Sequence, residues 1–439
     1  MKAIAKNAVL SGSITVPGSK SHTIRALILA SMAEGTSHIS NPLPSNDCLS
    51  TAKAVEQIGS KVQMDEGLWT VQGAGKNLHL PKKQIDVGNS GSLMYFLSPV
   101  LSTLKGSCTF TGDESICKRP VDHLIDAFIQ LGAKAECKEN NSLPPFTFTG
   151  PIDVNKTLVT LGELSQYISG FMMAATRLNG TLCMKLTNPK ETPYLTMTKL
   201  WLESIGAKVS ISEDFKEIQV SGPLLIKGFN KTVPSDWEGV AFPLIAALIT
   251  NSKITIENID GSGSQGDDKI VEVLKSVGAD IIWDKQKNIL QVQGGKKLST
   301  KNLPNHTLQV NMADFPDAIC ALAVIACFIE GKTVFTDIDI CRKKETDRIK
   351  AMVSELSKLG ANLCDEGDVL VVNGDGGKHL HGGEVESYKD HRIVMALSCL
   401  GLALPPSESL TIQDAQWCSV TFPNFFEEMN KLGAGFITL

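Results

Sequence analysis

The chain reads as an α/β protein of two domains, each built from three copies of one unit in which a helix is followed by paired strands. Three observations predict this. An apolar residue followed by glycine, usually then alanine, recurs at Ile58-Gly59, Leu131-Gly132-Ala133, Ile205-Gly206-Ala207, Val277-Gly278-Ala279, Leu359-Gly360-Ala361 and Leu432-Gly433-Ala434. Successive glycines lie 73, 74, 72, 82 and 73 residues apart, which is an internal repeat across nearly the whole chain. Apolar residues precede the glycine at helical spacing, as Val121, Leu124, Ile125, Phe128 and Leu131 do in the second copy and Ile349, Met352, Val353, Leu356 and Leu359 in the fifth. Hairpin-like segments follow it, such as Val62 to Gln72 turning at Glu66-Gly67, Ile281 to Val292, and Leu363 to Val372 turning at Glu366-Gly367.

Glycine is what a left-handed helix stop requires, because it reaches positive φ without a Cβ penalty. The last copy has no hairpin of its own, since the chain stops six residues after Gly433. The first strand-like stretch, Ala8 to Val16, has no helix before it, so it is expected to pair with the C-terminal copies. The chain then begins and ends in one domain: residues 1–18 with 236–439 form domain I, and residues 19–235 form domain II. A cleft between the two is the expected site.

Each copy also carries a second, more apolar helix about 40 residues before its glycine. The openings of these inner helices are small or polar. They are Pro17-Gly18-Ser19-Lys20-Ser21 before Ala26 to Met32, Gly88-Asn89-Ser90-Gly91-Ser92 before Leu93 to Leu101, and Gly162-Glu163-Leu164-Ser165-Gln166 before Tyr167 to Ala175. The remaining three are Ser235-Asp236, Asp314-Phe315-Pro316-Asp317 and Tyr388-Lys389-Asp390-His391-Arg392. Singly, each is a capped helix start. Six equivalent starts in a pseudo-threefold arrangement would instead aim their partial positive ends one way and favour anions.

Composition narrows the class of ligand. A net charge of −5 and a pI near 6.0 give no reason to expect nucleic acid. The longest apolar runs, Ala318 to Ile329 and Ile393 to Leu404, are shorter than the roughly 20 residues of a membrane span. Residues Met1 to Lys20 carry neither a signal-peptide core nor transit-peptide character. The eleven cysteines lack metal-ligand spacing and read as reduced thiols of a cytoplasmic protein. Basic residues nonetheless gather at element ends: Lys20 and Arg25, Lys118-Arg119, Arg342-Lys343-Lys344 with Arg348, and Arg392. Small substrates bearing several phosphate or carboxylate groups explain both facts. Asp317, at the opening of the fifth inner helix, and Glu345, between Lys344 and Arg348, are the carboxylates that could carry proton transfer, although spacing alone does not name the reaction.

At these residues the sequence resembles the enolpyruvyl transferases over its full length. The resemblance is carried by Pro17-Gly18-Ser19-Lys20-Ser21 with Arg25, Gly88-Asn89-Ser90-Gly91, Gly112-Asp113-Glu114-Ser115 with Lys118-Arg119-Pro120, and Ser165-Gln166. Pro316-Asp317-Ala318, Lys344-Glu345-Thr346-Asp347-Arg348, Asp390-His391-Arg392 and Thr421-Phe422-Pro423 complete it. It implies two inverse α/β domains, each of three βαβαββ units. It further implies transfer of the carboxyvinyl group of phosphoenolpyruvate to the 5-hydroxyl of shikimate 3-phosphate, through a tetrahedral intermediate and without metal or organic cofactor. By position, Lys20, Gly91, Arg119, Arg348 and Arg392 would bind phosphoenolpyruvate. Ser21, Arg25, Ser165, Gln166, Tyr194, Asp317 and Lys344 would bind shikimate 3-phosphate. Lys20, Asp317 and Glu345 would be catalytic, with Asp317 taking the hydroxyl proton and Glu345 protonating the methylene carbon. A cytoplasmic monomer inhibited by glyphosate is the corresponding expectation.

The chain departs from the family pattern at several places. Tyr95-Phe96 stand where arginine and proline are usual. Leu164 and Glu191 replace serines of the acceptor-phosphate pocket, Ile340 an asparagine of the shikimate pocket, and Val420 a lysine near phosphoenolpyruvate. The rival readings are a sister enzyme acting on UDP-N-acetylglucosamine or a specialised metabolite, and a non-catalytic anion-binding homologue. Against the sister enzyme, Glu114 stands where a reactive cysteine is typical, with Cys117 displaced from it. Against the non-catalytic reading, both Asp317 and Glu345 are present.

Overall fold

All six stop glycines adopt the left-handed conformation, with φ of 113°, 90°, 95°, 98°, 88° and 101° from Gly59 to Gly433. They close their helices by a shared device. In the second copy the Ala133 N–H donates to the Phe128 carbonyl and the Gly132 N–H to that of Ile129, both at 3.0 Å, which satisfies two carbonyls that a helix end leaves open. The computed structural model describes residues 1–139 and 141–439. It divides into two compact units, Gly18–Pro234 and Met1–Pro17 with Ser235–Leu439.

In the unit Gly18–Pro234 the helices are α1 (Lys20–Met32), α2 (Asn46–Gln57), α3 (Gly91–Leu101), α4 (Asp122–Gln130), α5 (Ser165–Ala175) and α6 (Thr192–Ser204). Three four-stranded sheets accompany them. The second copy shows the repeat whole. Strand Ile85–Asp86 leads through α3 to Gly106–Thr111, its parallel neighbour, and α4 then leads to the antiparallel pair Lys134–Cys137 and Phe146–Gly150. The third copy repeats this from Thr157–Thr160. The first borrows its opening strand from the far end of the unit, where Asn230–Thr232 lies parallel to Thr36–Ser40.

The unit Met1–Pro17 with Ser235–Leu439 has α7 (Trp237–Ile249), α8 (Lys269–Ser276), α9 (Ile319–Phe328), α10 (Arg348–Lys358), α11 (His391–Gly401) and α12 (Phe425–Lys431). Its inner helices α7, α9 and α11 pack on one another and are buried almost throughout. That is why α7 and α9 are apolar on nearly every face rather than striped. Each fully buried Leu or Ile on them contributes about 1.5–3 kcal/mol. In the other unit α5 approaches α3 through Gly170, where a Cβ would lie 2.1 Å from the Tyr95 carbonyl oxygen.

Two expectations are corrected. The N-terminal segment holds two strands, not one. Ser11–Thr15 runs parallel to Lys253–Glu257 and opens the fourth copy, whereas Ala3–Lys6 lies antiparallel between Ser409–Ile412 and Ile437–Thr438 and completes the sixth. A four-residue strand is too short for its periodicity to show. The inner helices also begin before their apolar runs, α1 at Lys20, α3 at Gly91 and α5 at Ser165, so the polar openings are themselves first helical turns. No helix among the described residues is long and apolar enough to cross a membrane.

Candidate functional site

In the unit Gly18–Pro234, α1 opens with Lys20, whose Nζ lies 3.6 Å from the Asp47 carboxylate at the start of α2, both side chains largely buried. Two residues before Lys20, Gly18 lets the chain pass close to Asn41, since a Cβ would fall 2.1 Å from the Asn41 carbonyl oxygen. Ser21 follows, half-buried, and offers its carbonyl to Arg25.

Arg25 is 1% exposed and tied to three helices. Its Nε donates to Thr198 Oγ1 at 2.8 Å, Nη1 to the Ser21 carbonyl at 3.0 Å, and Nη2 to Ser169 Oγ at 3.4 Å and the Tyr194 carbonyl at 3.3 Å. The guanidinium also lies 4.5 Å from the centre of the Phe96 ring, a cation–π contact. Burial pulls its pKa down to about 9, opposed by Tyr194 and Glu191, which leaves it charged at neutral pH. Phe96 thus has a defined task at a position where the family pattern differs.

The α3 opening is capped by Ser90, whose Oγ accepts from the Leu93 N–H. Gly91 is the first helical residue, and a Cβ there would meet only Arg119 Nη1 at 3.5 Å and Tyr95 at 3.9 Å, ordinary contact distances. Arg119 is held facing it, since its Nη2 donates to Asn89 Oδ1 at 2.8 Å and Ser115 Oγ at 3.0 Å. Lys118 turns outward to an exposed pair with Glu114. At α5, Ser165 is buried, Gln166 half-buried, and Tyr194 is buried on α6.

The other unit gathers its charged residues more tightly. Arg348, the first residue of α10, is fully buried and meets three carboxylates: Asp390 at 2.8 Å, Asp317 at 2.5 Å and Glu345 at 2.6 Å. Asp317 also pairs with Lys344 at 3.3 Å and Arg392 at 3.2 Å. Arg392 in turn pairs with Glu238 on the first turn of α7. Asp390 caps α11 by accepting the Arg392 N–H at 2.8 Å. Burial alone would raise the Asp317 carboxyl, but Lys344 and Arg348 outweigh it and hold the group below its usual range. Burial would lower the Arg348 pKa, yet Asp390, Glu345 and Asp317 keep it well above the usual value.

The sequence residues Asp317, Lys344, Glu345, Arg348 and Arg392 therefore meet in one cluster, with Arg348 and Arg392 buried and the other three half-buried. Arg342, which opens the same basic run, makes a two-pronged bond to Asp365 at 2.8 and 2.6 Å instead. Sequence reasoning missed Asp47 and Glu238, each on the first turn of a helix beside a named cation. Their signal was position in the repeat. Through them Lys20 and Arg392 each meet a carboxylate supplied by the protein. Desolvated cations are costly without such partners.

Comparison with known proteins gives a consistent result. The family model described as EPSP synthase (3-phosphoshikimate 1-carboxyvinyltransferase) matches residues 4–429. The 3-phosphoshikimate 1-carboxyvinyltransferase of Ruminiclostridium cellulolyticum is 35% identical over 424 residues, covering 97% of this chain and 96% of that protein. The Methanococcus aeolicus protein of the same name is 34% identical over 438 residues, with 98% of each chain covered. Among solved structures, EPSP synthase from Acinetobacter baumannii aligns with a TM-score of 0.82 at 27% identity, over 100% of this chain and 99% of that one.

Proposed function

The chain belongs to the EPSP synthase family, and from that membership we propose that it transfers the carboxyvinyl group of phosphoenolpyruvate to the 5-hydroxyl of shikimate 3-phosphate, releasing phosphate. Lys20, Arg119, Arg348 and Arg392 hold the phosphate and carboxylate of phosphoenolpyruvate, with Gly91 leaving room beside Arg119. Ser21, Arg25, Ser165, Gln166, Tyr194 and Lys344 contact the acceptor, and Arg25 also ties together α1, α5 and α6, which carry Ser21, Ser165, Gln166 and Tyr194.

In the addition step the acceptor oxygen bonds to the carbon bearing the phosphate. Asp317 takes the hydroxyl proton and Glu345 delivers one to the methylene carbon, making a methyl group. In the elimination step the carbon–oxygen bond to phosphate breaks, the departing phosphate takes the proton held by Asp317, and the methyl group returns a proton to Glu345, which restores the vinyl group. The observation that carries this reading is the contact of Asp317 with Lys344, Arg348 and Arg392 in a cluster that also holds Glu345. Substrate anions that draw these cations toward themselves leave Asp317 a stronger base, so proton transfer is coupled to substrate binding.

We infer that the protein works as a cytoplasmic monomer on small anions; the basic residues Lys20, Arg119, Lys344, Arg348 and Arg392 support the anionic ligands, and a net charge of −5 gives no reason to expect nucleic acid. Phosphate release from phosphoenolpyruvate, assayed with shikimate 3-phosphate and with UDP-N-acetylglucosamine, tests the acceptor. Release with shikimate 3-phosphate alone is expected; release only with the sugar nucleotide would transfer the chain to the sister reaction. Glyphosate in excess is expected to suppress that release, and full activity in its presence would show a different donor pocket.

A further inference from the structure

A carboxylate of the chain itself, that of Glu191, is seated on the donors that open α5. The Ser165 backbone N–H and its Oγ both donate to Glu191 Oε2, at 3.1 and 3.0 Å. Glu191 is 1% exposed and immediately precedes α6, with φ of 52°. Residues other than glycine are uncommon in that backbone region and are kept there only when surroundings fix them. Arg25 lies close enough for its charge to be felt, and the Tyr194 carbonyl, three residues beyond Glu191, accepts from the same guanidinium. An anion is what the N–H and hydroxyl of a helix start attract. Here the chain supplies that anion.

We propose that Glu191 is a specificity-determining residue: its carboxylate competes with the acceptor's phosphate for the Ser165 donors. This rests on the reading above that Ser165 and Tyr194 contact the acceptor. A phosphate and a carboxylate repel at contact distance and need the same two hydrogens, so the phosphate gains them only when Glu191 swings away. Acceptors without a phosphate meet no such conflict, and their hydroxyl can donate to the resident carboxylate. The consequence is a narrowed preference for phosphorylated over unphosphorylated acceptor. Leu164, just before Ser165, supplies no side-chain hydrogen bond that would offset the loss.

The test compares the protein with Glu191→Gln and Glu191→Ser, using shikimate 3-phosphate and shikimate as paired acceptors. Removal of the charge is expected to lower KM for shikimate 3-phosphate at least tenfold, to raise the kcat/KM ratio of phosphorylated to unphosphorylated acceptor by the same factor, and to leave KM for phosphoenolpyruvate within twofold. A general structural lesion would not improve the phosphorylated acceptor while leaving the unphosphorylated one unchanged. A ratio changed by threefold or less in both variants overturns the proposal. If neither the parent nor either variant releases phosphate with either acceptor, the proposed reaction falls, and calorimetric titration with shikimate 3-phosphate still decides the role of Glu191. Tenfold tighter binding by Glu191→Gln supports it, whereas equal affinity refutes it.

Discussion

Asp317 is where three cations converge, and its environment sets two expectations. Asp317→Ala and Glu345→Gln should each lower kcat by about 10²–10⁴-fold, the usual contribution of a positioned acid or base, with a much smaller change in phosphoenolpyruvate binding. Turnover near the parent level in either variant would remove that residue from the chemistry. Because the Asp317 carboxyl is depressed in the folded chain, the stability it contributes is complete above its ordinary value of 3.8 and is lost as pH falls through the lower native value. Acid unfolding curves of the parent and Asp317→Asn should therefore differ above about pH 4 and converge as pH falls below it. Parallel curves down to the lowest pH would contradict the depressed value. Asp317 and Arg348 were legible because acidic and basic residues stand at helix starts. Glu238 was not, since a glutamate in the first turn of an apolar helix has an ordinary explanation in the helix dipole.

At the scale of elements, the stop glycines carry the clearest signal and allow a controlled comparison. Gly206 sits at φ of 95° with only Leu224 near the place of a Cβ, at 3.9 Å, while Gly360 sits at 88° with the His379 carbonyl oxygen 2.3 Å from that place. Gly206→Ala should cost about 1–2 kcal/mol from backbone conformation alone, and Gly360→Ala about 1–3 kcal/mol more from the clash. Denaturant titrations that gave equal losses would show that the contact at Gly360 is relieved at no cost. Helical periodicity found both classes of helix. It placed the inner ones late because Lys20, Ser21, Gly91 and Ser165 are polar or small, and a hydrophobic pattern cannot register a helical turn made of such residues.

At the scale of the whole chain, the N-terminal segment joins residues that are about 400 positions apart or more, as in the pairing of Ala3 with Ile412 and with Thr438. Removing residues 1–6 should strip the sixth sheet of the strand between its two neighbours and expose the faces that cover Ala3 and Ala5, both fully buried. A fall of several degrees in Tm is expected from calorimetry, and an unchanged Tm would mean that the remaining strands hold together without it. By itself the sequence determined the repeat, the glycine stops and the residue types at the helix openings, because these depend on local backbone conformation and on periodic burial. Only the tertiary structure decided which carboxylate meets which cation, Asp47 with Lys20 and Glu238 with Arg392, and that Glu191 reaches Ser165. Those pairings join different elements, 26 residues apart for Ser165 with Glu191 and 154 for Glu238 with Arg392, and electrostatic partnership depends on distance in space, which no local pattern encodes.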